Sequence, residues 1–241
     1  MNIPMLIGVI AVGYLIGSLS ISRIVTKIAA PESDLEKVEL PDRNTGGTFQ
    51  LKTVGATTAS IILGPKIGGL IGILDILKGV IPSLVIRILF PDQLYFVFTG
   101  AAVVLGHIYP IYYRFRGGGG LSTALGVMLV VDPLGAVVSV LLAFILGIFV
   151  LKEITVMFMG GPILFIVWTA IFNWNLIVFF LILLINLLLF LAVWPDIRVH
   201  LKAKKEGKTD LSTSMDSIPM GQMMKSMMLK LGKAKAKTKD G

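Results

Sequence analysis

Leu121-Ser122-Thr123-Ala124-Leu125-Gly126-Val127-Met128-Leu129-Val130-Val131 is apolar but only about half as long as the roughly 20 residues that cross a bilayer, and whether it counts as a span decides the topology of the chain. By length alone it is a half-helix, a re-entrant segment or a short helix sheltered by its neighbours. Longer apolar blocks flank it: Ile3 to Ile21, Ile67 to Leu89, Leu94 to Tyr113, Leu134 to Leu151, Ile154 to Phe172 and Leu176 to Trp194, each near spanning length. Six spans are therefore expected, and the short stretch makes a seventh. Composition agrees, because 55% hydrophobic and 15% charged residues are too apolar for a soluble surface of this size.

Charge arbitrates the count. When seven spans are threaded alternately through the membrane, Arg23, Lys27, Lys37, Arg43, Lys52, Lys66, Arg114, Arg116, Lys152 and eleven basic residues after Trp194 share one side. The opposite turns, around Pro91-Asp92, Asp132-Pro133 and Asn173, carry none, although Arg87 lies near the first. Six spans would put basic loops on both sides. The reading is an all-α integral membrane protein of about seven transmembrane helices, N-out and C-in, with one short or re-entrant helix.

The chain divides into a polytopic membrane domain, residues 1–194, with a cytoplasmic loop over about 23–66, and a cytoplasmic basic tail, residues 195–241. The opening Met1-Asn2-Ile3-Pro4 has no basic residue and its apolar run exceeds a signal-peptide core, so the segment is expected to be retained. In the tail, Met220, Met223, Met224, Met227, Met228 and Leu231 recur at helical spacing. This predicts a Met-rich amphipathic helix over 218–231 suited to an anionic membrane surface; a frayed tail with accidental spacing is the plain alternative. The absence of cysteine and the presence of only two histidines, His107 and His200, leave no expected metal site. The basic tail is expected to meet membrane lipid, not nucleic acid. The oligomeric state stays open.

Polar residues inside spans are costly and point to cavities or partners. Asp75 and Lys78 stand three apart, so one helical face holds them as an ion pair, with a purely structural pair as the alternative. Ser18, Ser20 and Ser22 crowd the end of the first span. Between His107 and the short helix the chain reads Tyr109-Pro110-Ile111-Tyr112-Tyr113-Arg114-Phe115-Arg116-Gly117-Gly118-Gly119-Gly120. Four glycines let backbone N–H groups converge at a helix N-terminus, where the dipole favours an anion, and Arg114 and Arg116 stand beside them. A phosphate site is the expectation; a flexible turn is the alternative.

These residues carry a resemblance. Gly13-Tyr14-Leu15-Ile16-Gly17-Ser18, Val54-Gly55-Ala56-Thr57, Leu74-Asp75-Ile76-Leu77-Lys78-Gly79 and Gly106 to Gly120 resemble, in order, four motifs of the acyl-phosphate-dependent glycerol-3-phosphate acyltransferases of bacterial phospholipid synthesis, the PlsY type. The resemblance implies seven spans, a bacterial plasma membrane and an active side in the cytoplasm. It implies acyl transfer from acyl phosphate to the 1-hydroxyl of glycerol 3-phosphate, giving lysophosphatidate, with no cofactor. Carried over by motif, Ser18 and Thr155 are the catalytic candidates, and Arg43, Arg114, Arg116, Gly117, Gly118, Gly119, Gly120, Lys152, Asp75, Lys78 and His107 the candidates for binding phosphate or substrate.

The sequence also departs from the family pattern. Its loop lysine is Gly119 here, a loss worth about 1.5–3 kcal/mol if the contact is charge-assisted, and Arg114, Arg116 or Lys152 is expected to supply the missing charge. Gln50-Leu51-Lys52-Thr53 replaces a Gly-Ser-Gly-Asn segment. Lys152-Glu153-Ile154-Thr155 stands for Arg-Tyr-Val-Ser, and Val193-Trp194-Pro195-Asp196 for His-x-x-Asn. A non-catalytic paralogue that binds lipid or a partner protein is the alternative function. A transporter, hinted at only by Asp75 and Lys78, ranks last.

Overall fold

The structure is a computed structural model that describes residues 2–41, 48–51, 53–205, 221–222 and 225–226. Arg43 lies outside the described residues, and so does most of the expected helix 218–231, of which 221, 222, 225 and 226 are helical.

Helix α1 (Ile3–Gly17) starts where the Asn2 side chain accepts the Met5 N–H, with Pro4 in its first turn. It ends at Ser18, and after a bend α2 (Ile21–Ala29) follows. The first apolar block was expected to run unbroken to Ile21; the helix stops earlier, where the Leu19 N–H bonds the Ile16 carbonyl and the backbone turns extended at Ser20. The segment beyond α2 carries a 3-10 turn, Leu35–Lys37, and an antiparallel ribbon of β1 (Glu39–Pro41) and β2 (Thr48–Gln50), with Leu40 opposite Phe49. Helices α3 (Ala56–Leu63), α4 (Pro65–Leu89), α5 (Tyr95–Ile108), α6 (Leu121–Val131), α7 (Pro133–Ile145), α8 (Ile154–Phe172) and α9 (Leu176–Lys205) complete the described chain. A π-helical segment, Leu146–Val150, prolongs α7, and α9 continues through Pro195 well past Trp194.

Six helical runs are long and apolar enough to cross a membrane, and α6 is the shorter seventh. The distribution of side chains is inverted relative to a soluble protein. Ile3, Phe149 and Phe172 are about two-thirds exposed, whereas Ser18, Asp75, Ser83, Thr99, Thr123 and Thr169 are buried. Polar groups pair inside while apolar ones face a solvent that is itself apolar.

The core forms where α5 and α6 meet α8 and α9, around Val97, Val104, Val127, Phe165 and Leu189. Helix α1 lies along α5 at backbone contact: a Cβ on Gly17 would strike the Val103 carbonyl and one on Gly106 the Tyr14 carbonyl. Small residues permit such approach, and van der Waals contact replaces the hydrophobic drive that lipid cannot supply.

At 11 residues, α6 rises only about 16 Å at 1.5 Å per residue, half of a hydrocarbon core. Of the three readings of its sequence, a short helix sheltered by neighbours is the one adopted. Seven of its residues are buried among α4, α5, α7 and α8, and the Arg87 guanidinium, stacked over the Phe96 ring, donates to the Val130 carbonyl near its C-terminus.

Candidate active site

The break after α1 is the first part of the site. The Ser18 hydroxyl donates to the Tyr14 carbonyl at 2.8 Å and accepts the Ile111 N–H at 3.4 Å; the Tyr14 hydroxyl donates to the Tyr109 carbonyl at 2.8 Å. Ser18 is wholly buried. It therefore stitches the end of α1 to the chain leaving α5.

Beneath it lies a buried charge cluster. Lys78 Nζ stands 3.2 Å from Asp75 Oδ1, donates to the Leu19 carbonyl at 3.0 Å and sits 2.9 Å from His107 Nδ1. One ammonium on α4 thus holds the α1–α2 bend and the end of α5 together. An i, i+3 pair on α4 was expected; its junction with His107 was not legible in the spacing.

The glycine loop packs on that histidine. Gly118 N–H donates to the His107 carbonyl at 3.1 Å, and a Cβ on Gly118 would fall on His107 Nε2. Gly117 accepts the Val54 N–H at 2.8 Å, and Gly55 faces the Gly118 Cα. Gly120, at φ +82, occupies the left-handed region that glycine enters freely, and it starts α6. A Cβ on Gly119 would point at Val193, with Thr53 a little beyond. Thr53 in turn donates to Asp196 at 3.2 Å.

Three helices begin here. Ser20 precedes α2, Gly55 precedes α3 and Gly120 precedes α6, and none caps its helix with a side chain. Ser20 pairs with Ser22 instead, at 3.1 Å, and Ser22 donates to the Val54 carbonyl at 3.4 Å. The starts of α2, α3 and α6 are thereby tied through Val54 and Gly117. Uncapped first-turn N–H groups at three neighbouring helix starts make a patch suited to an anion.

A second clamp closes one edge. Glu36 Oε1 meets Arg23 Nη2 and its Oε2 meets Arg116 Nη1, both at 2.9 Å. Arg23 also donates to the Arg116 carbonyl at 2.9 Å and lies over the Tyr113 ring. The hydrogen bond from Arg116 foremost, with that from Arg23, holds the Glu36 carboxyl below its ordinary range against the opposing effect of partial burial.

The structure thus brings Ser18, Asp75, Lys78, His107, Gly117 and Gly118 together, with Gly119 and Gly120 at the loop's far end. Arg116 is engaged by Glu36. Arg114 and Lys152 are exposed, both at positive φ. Among the described residues, no hydrogen bond or ion pair joins Arg114, Lys152 or Thr155 to the loop. Arg23, Glu36 and Tyr14 were missed as site residues. For Arg23 the only signal was its position five residues after Ser18; for Glu36 there was none. No group of three or more metal-binding side chains occurs among the described residues.

This fold and this site define an integral membrane protein with a glycine loop set among three helix starts in its helical bundle. The profile of the glycerol-3-phosphate acyltransferase family matches residues 7–203. A glycerol-3-phosphate acyltransferase of Aquifex aeolicus is 41% identical over 141 residues, covering 58% of this chain and 66% of the relative. The second enzyme of that description from Bacillus anthracis is 33% identical over 185 residues, 77% of this chain and 88% of the relative. The crystal structure of PlsY, an integral membrane glycerol 3-phosphate acyltransferase, in its glycerol 3-phosphate form superposes with a TM-score of 0.68 at 31% identity, covering 83% of this chain and 93% of that one. Its lysophosphatidic acid form gives 0.67. The match spans 66%, 63% and 39% of the A. aeolicus, Myxococcus xanthus and Legionella pneumophila relatives, under two-thirds of each. The chain belongs to the glycerol-3-phosphate acyltransferase family.

Proposed function

We propose that this protein transfers an acyl group from an acyl phosphate to the 1-hydroxyl of glycerol 3-phosphate, at the cytoplasmic face of a bacterial plasma membrane. The new ester bond forms between the carbonyl carbon and the C1 oxygen. The bond from that carbon to the phosphate oxygen breaks, and the hydroxyl proton leaves with inorganic phosphate. Both substrates carry phosphate, so the chemistry needs anion-binding groups and donors aimed at the developing oxyanion. The convergence of three uncapped helix starts on the Gly117 to Gly120 loop is the observation that carries the reading. No cofactor is required, since the donor is already activated.

In this reading the loop N–H groups hold phosphate, and the Lys78 ammonium contributes positive potential from below. Ser18 fixes the bend that exposes the start of α2; with its proton donated to Tyr14, it acts by position. Arg116 and Arg23 hold the loop through Glu36. Thr155, Lys152, Arg114 and Arg43 remain candidates to close over a bound substrate. The tail, residues 195–241, is assigned to the cytoplasmic membrane surface.

The test is acyl transfer by purified protein from palmitoyl phosphate to labelled glycerol 3-phosphate. Lysophosphatidate formed by the wild type, and sharply reduced in Ser18→Ala, is the expected result. No product under conditions where the A. aeolicus relative turns over would overturn the reading in favour of a non-catalytic paralogue.

A further inference from the structure

Lys78 makes two hydrogen-bond contacts and one ion pair, and the contact with His107 bears on the chemistry of that ring. The ammonium donates to the Leu19 carbonyl, pairs with Asp75 and reaches His107 Nδ1 at 2.9 Å. An ammonium has no lone pair, so Nδ1 must be the acceptor and carries no proton. Asp75 Oδ1 lies 3.5 Å from Nδ1 and makes no hydrogen bond with it. An Nδ1–H would meet the Lys78 ammonium head-on, donor against donor. The geometry therefore fits the tautomer with its proton on Nε2.

That second nitrogen faces the glycine loop. His107 is 91% buried, its exposure being 9%. Its Nε2 edge rests on Gly118, where only the absence of a Cβ admits it. Among the described residues Nε2 has no hydrogen-bond partner. An N–H on a largely buried ring that opens beside the glycine loop, with no acceptor from the protein, is a donor free to meet a ligand there.

We infer that His107 is a ligand-binding donor: its Nε2–H bonds a phosphoryl oxygen held at the Gly117 to Gly120 loop, and Lys78 is the positioning residue that locks the required tautomer. This rests on the proposed function for the identity of the phosphate ester, glycerol 3-phosphate. Its logic is that of a metal-bound or catalytic histidine, whose one nitrogen is set by the partner of the other. In this chain the partner is a cation, so the ring serves without becoming charged, and it adds a neutral donor to a site that already carries positive potential.

Nitrogen-15 NMR on full-length protein with labelled imidazoles, in nanodiscs at neutral pH, tests this. The chain has only two histidines, so a His200→Gln variant isolates His107. The expected spectrum is that of one neutral Nε2–H tautomer. Glycerol 3-phosphate, at a concentration where its own phosphorus-31 signal reports binding, should move the Nε2 resonance and leave Nδ1 nearly unchanged. Lys78→Met should replace the single tautomer by a mixture. An Nδ1–H or doubly protonated ring in the wild type, or an Nε2 signal indifferent to bound glycerol 3-phosphate, would overturn the inference. In the acyl-transfer assay His107→Gln, whose amide nitrogen stands near the Nε2 position, should retain more kcat than His107→Ala. The latter is expected to lose about 100-fold to 1,000-fold, as for one lost donor to a developing charge. Equal losses in both variants would also count against it. If no acyl transfer occurs while the NMR behaves as stated, the proposed function fails and the role of His107 in binding phosphate stands.

Discussion

Gly118 shows how much depends on single atoms at this site. A methyl group there would fall on the His107 imidazole, and overpacking of this kind costs about 1–3 kcal/mol. Gly118→Ala should therefore lower the melting temperature modestly and acyl transfer severely, because the ring that yields is the one facing the loop; Gly69→Ala, whose Cβ would meet open space, is the control expected to change neither. At this scale the sequence was readable wherever a residue type is rare in its setting. A lysine and an aspartate inside an apolar helix, a histidine before a proline turn and four consecutive glycines announce themselves. Glu36 did not, because an acidic residue in a basic loop is unremarkable until Arg23 and Arg116, 13 and 80 positions away, close on it. That clamp predicts a pH dependence. A carboxyl whose value is lowered on folding stabilises the fold above its ordinary value, about 4.3 for glutamate, and the contribution is lost as pH falls through the depressed value. The protection factors of residues 111–117, with the intrinsic exchange rate at each pH divided out, should accordingly fall in acid below about pH 4 and hold steady near neutrality; Glu36→Gln should show the low protection at every pH.

Among the elements, α6 is the one whose existence needs explanation. Its length leaves a helix end short of the membrane surface, where an unpaired carbonyl is expensive. Arg87 answers this by donating to Val130. Arg87→Ala should destabilise the protein by about 1–3 kcal/mol, read as a lower midpoint of thermal unfolding in detergent; Arg87→Lys should recover part of the loss, keeping charge but not the planar stack on Phe96. Hydropathy located every long helix, since lipid imposes a length that a sliding count detects. It did not see the break at Ser18, because Leu19 and Ile21 continue the apolar run across it. Nor did it see α2, α3 or the β1–β2 ribbon within the loop of about 23–66. The entry to α3 is fixed by a hydrogen bond to a distant segment, Val54 to Gly117, which local pattern does not record; α2 did leave a trace, Ser22 and Thr26 alternating with Ile24 and Ile28, that a count of spanning length passes over.

For the whole molecule, the placement of basic residues predicts an orientation that labelling can read. The natural chain has no cysteine, so single substitutions give clean reporters. Asp92→Cys and Asn173→Cys should react with a membrane-impermeant maleimide on intact cells. Lys66→Cys and Lys204→Cys should react only after the membrane is opened. The reverse pattern would overturn the N-out, C-in reading and with it the cytoplasmic assignment of the glycine loop.

Helix α2 turns its hydroxyls inward and two of its three isoleucines outward: Ser22 and Thr26 are buried, while Ile24 and Ile28 are 43% and 78% exposed. A helix of this pattern suits the level where acyl chains meet headgroups, and Ser20 stands at its start, beside the glycine loop's neighbour Val54 through Ser22. In the proposed reading the site is thereby moored at a fixed depth, one doorway wet and the other greasy. Under the proposed function, a water-borne phosphate ester enters by the first, and a product that has just gained a fatty chain already has that chain in the leaflet. It departs sideways, as a boat slips from a quay, with no need to pass through water.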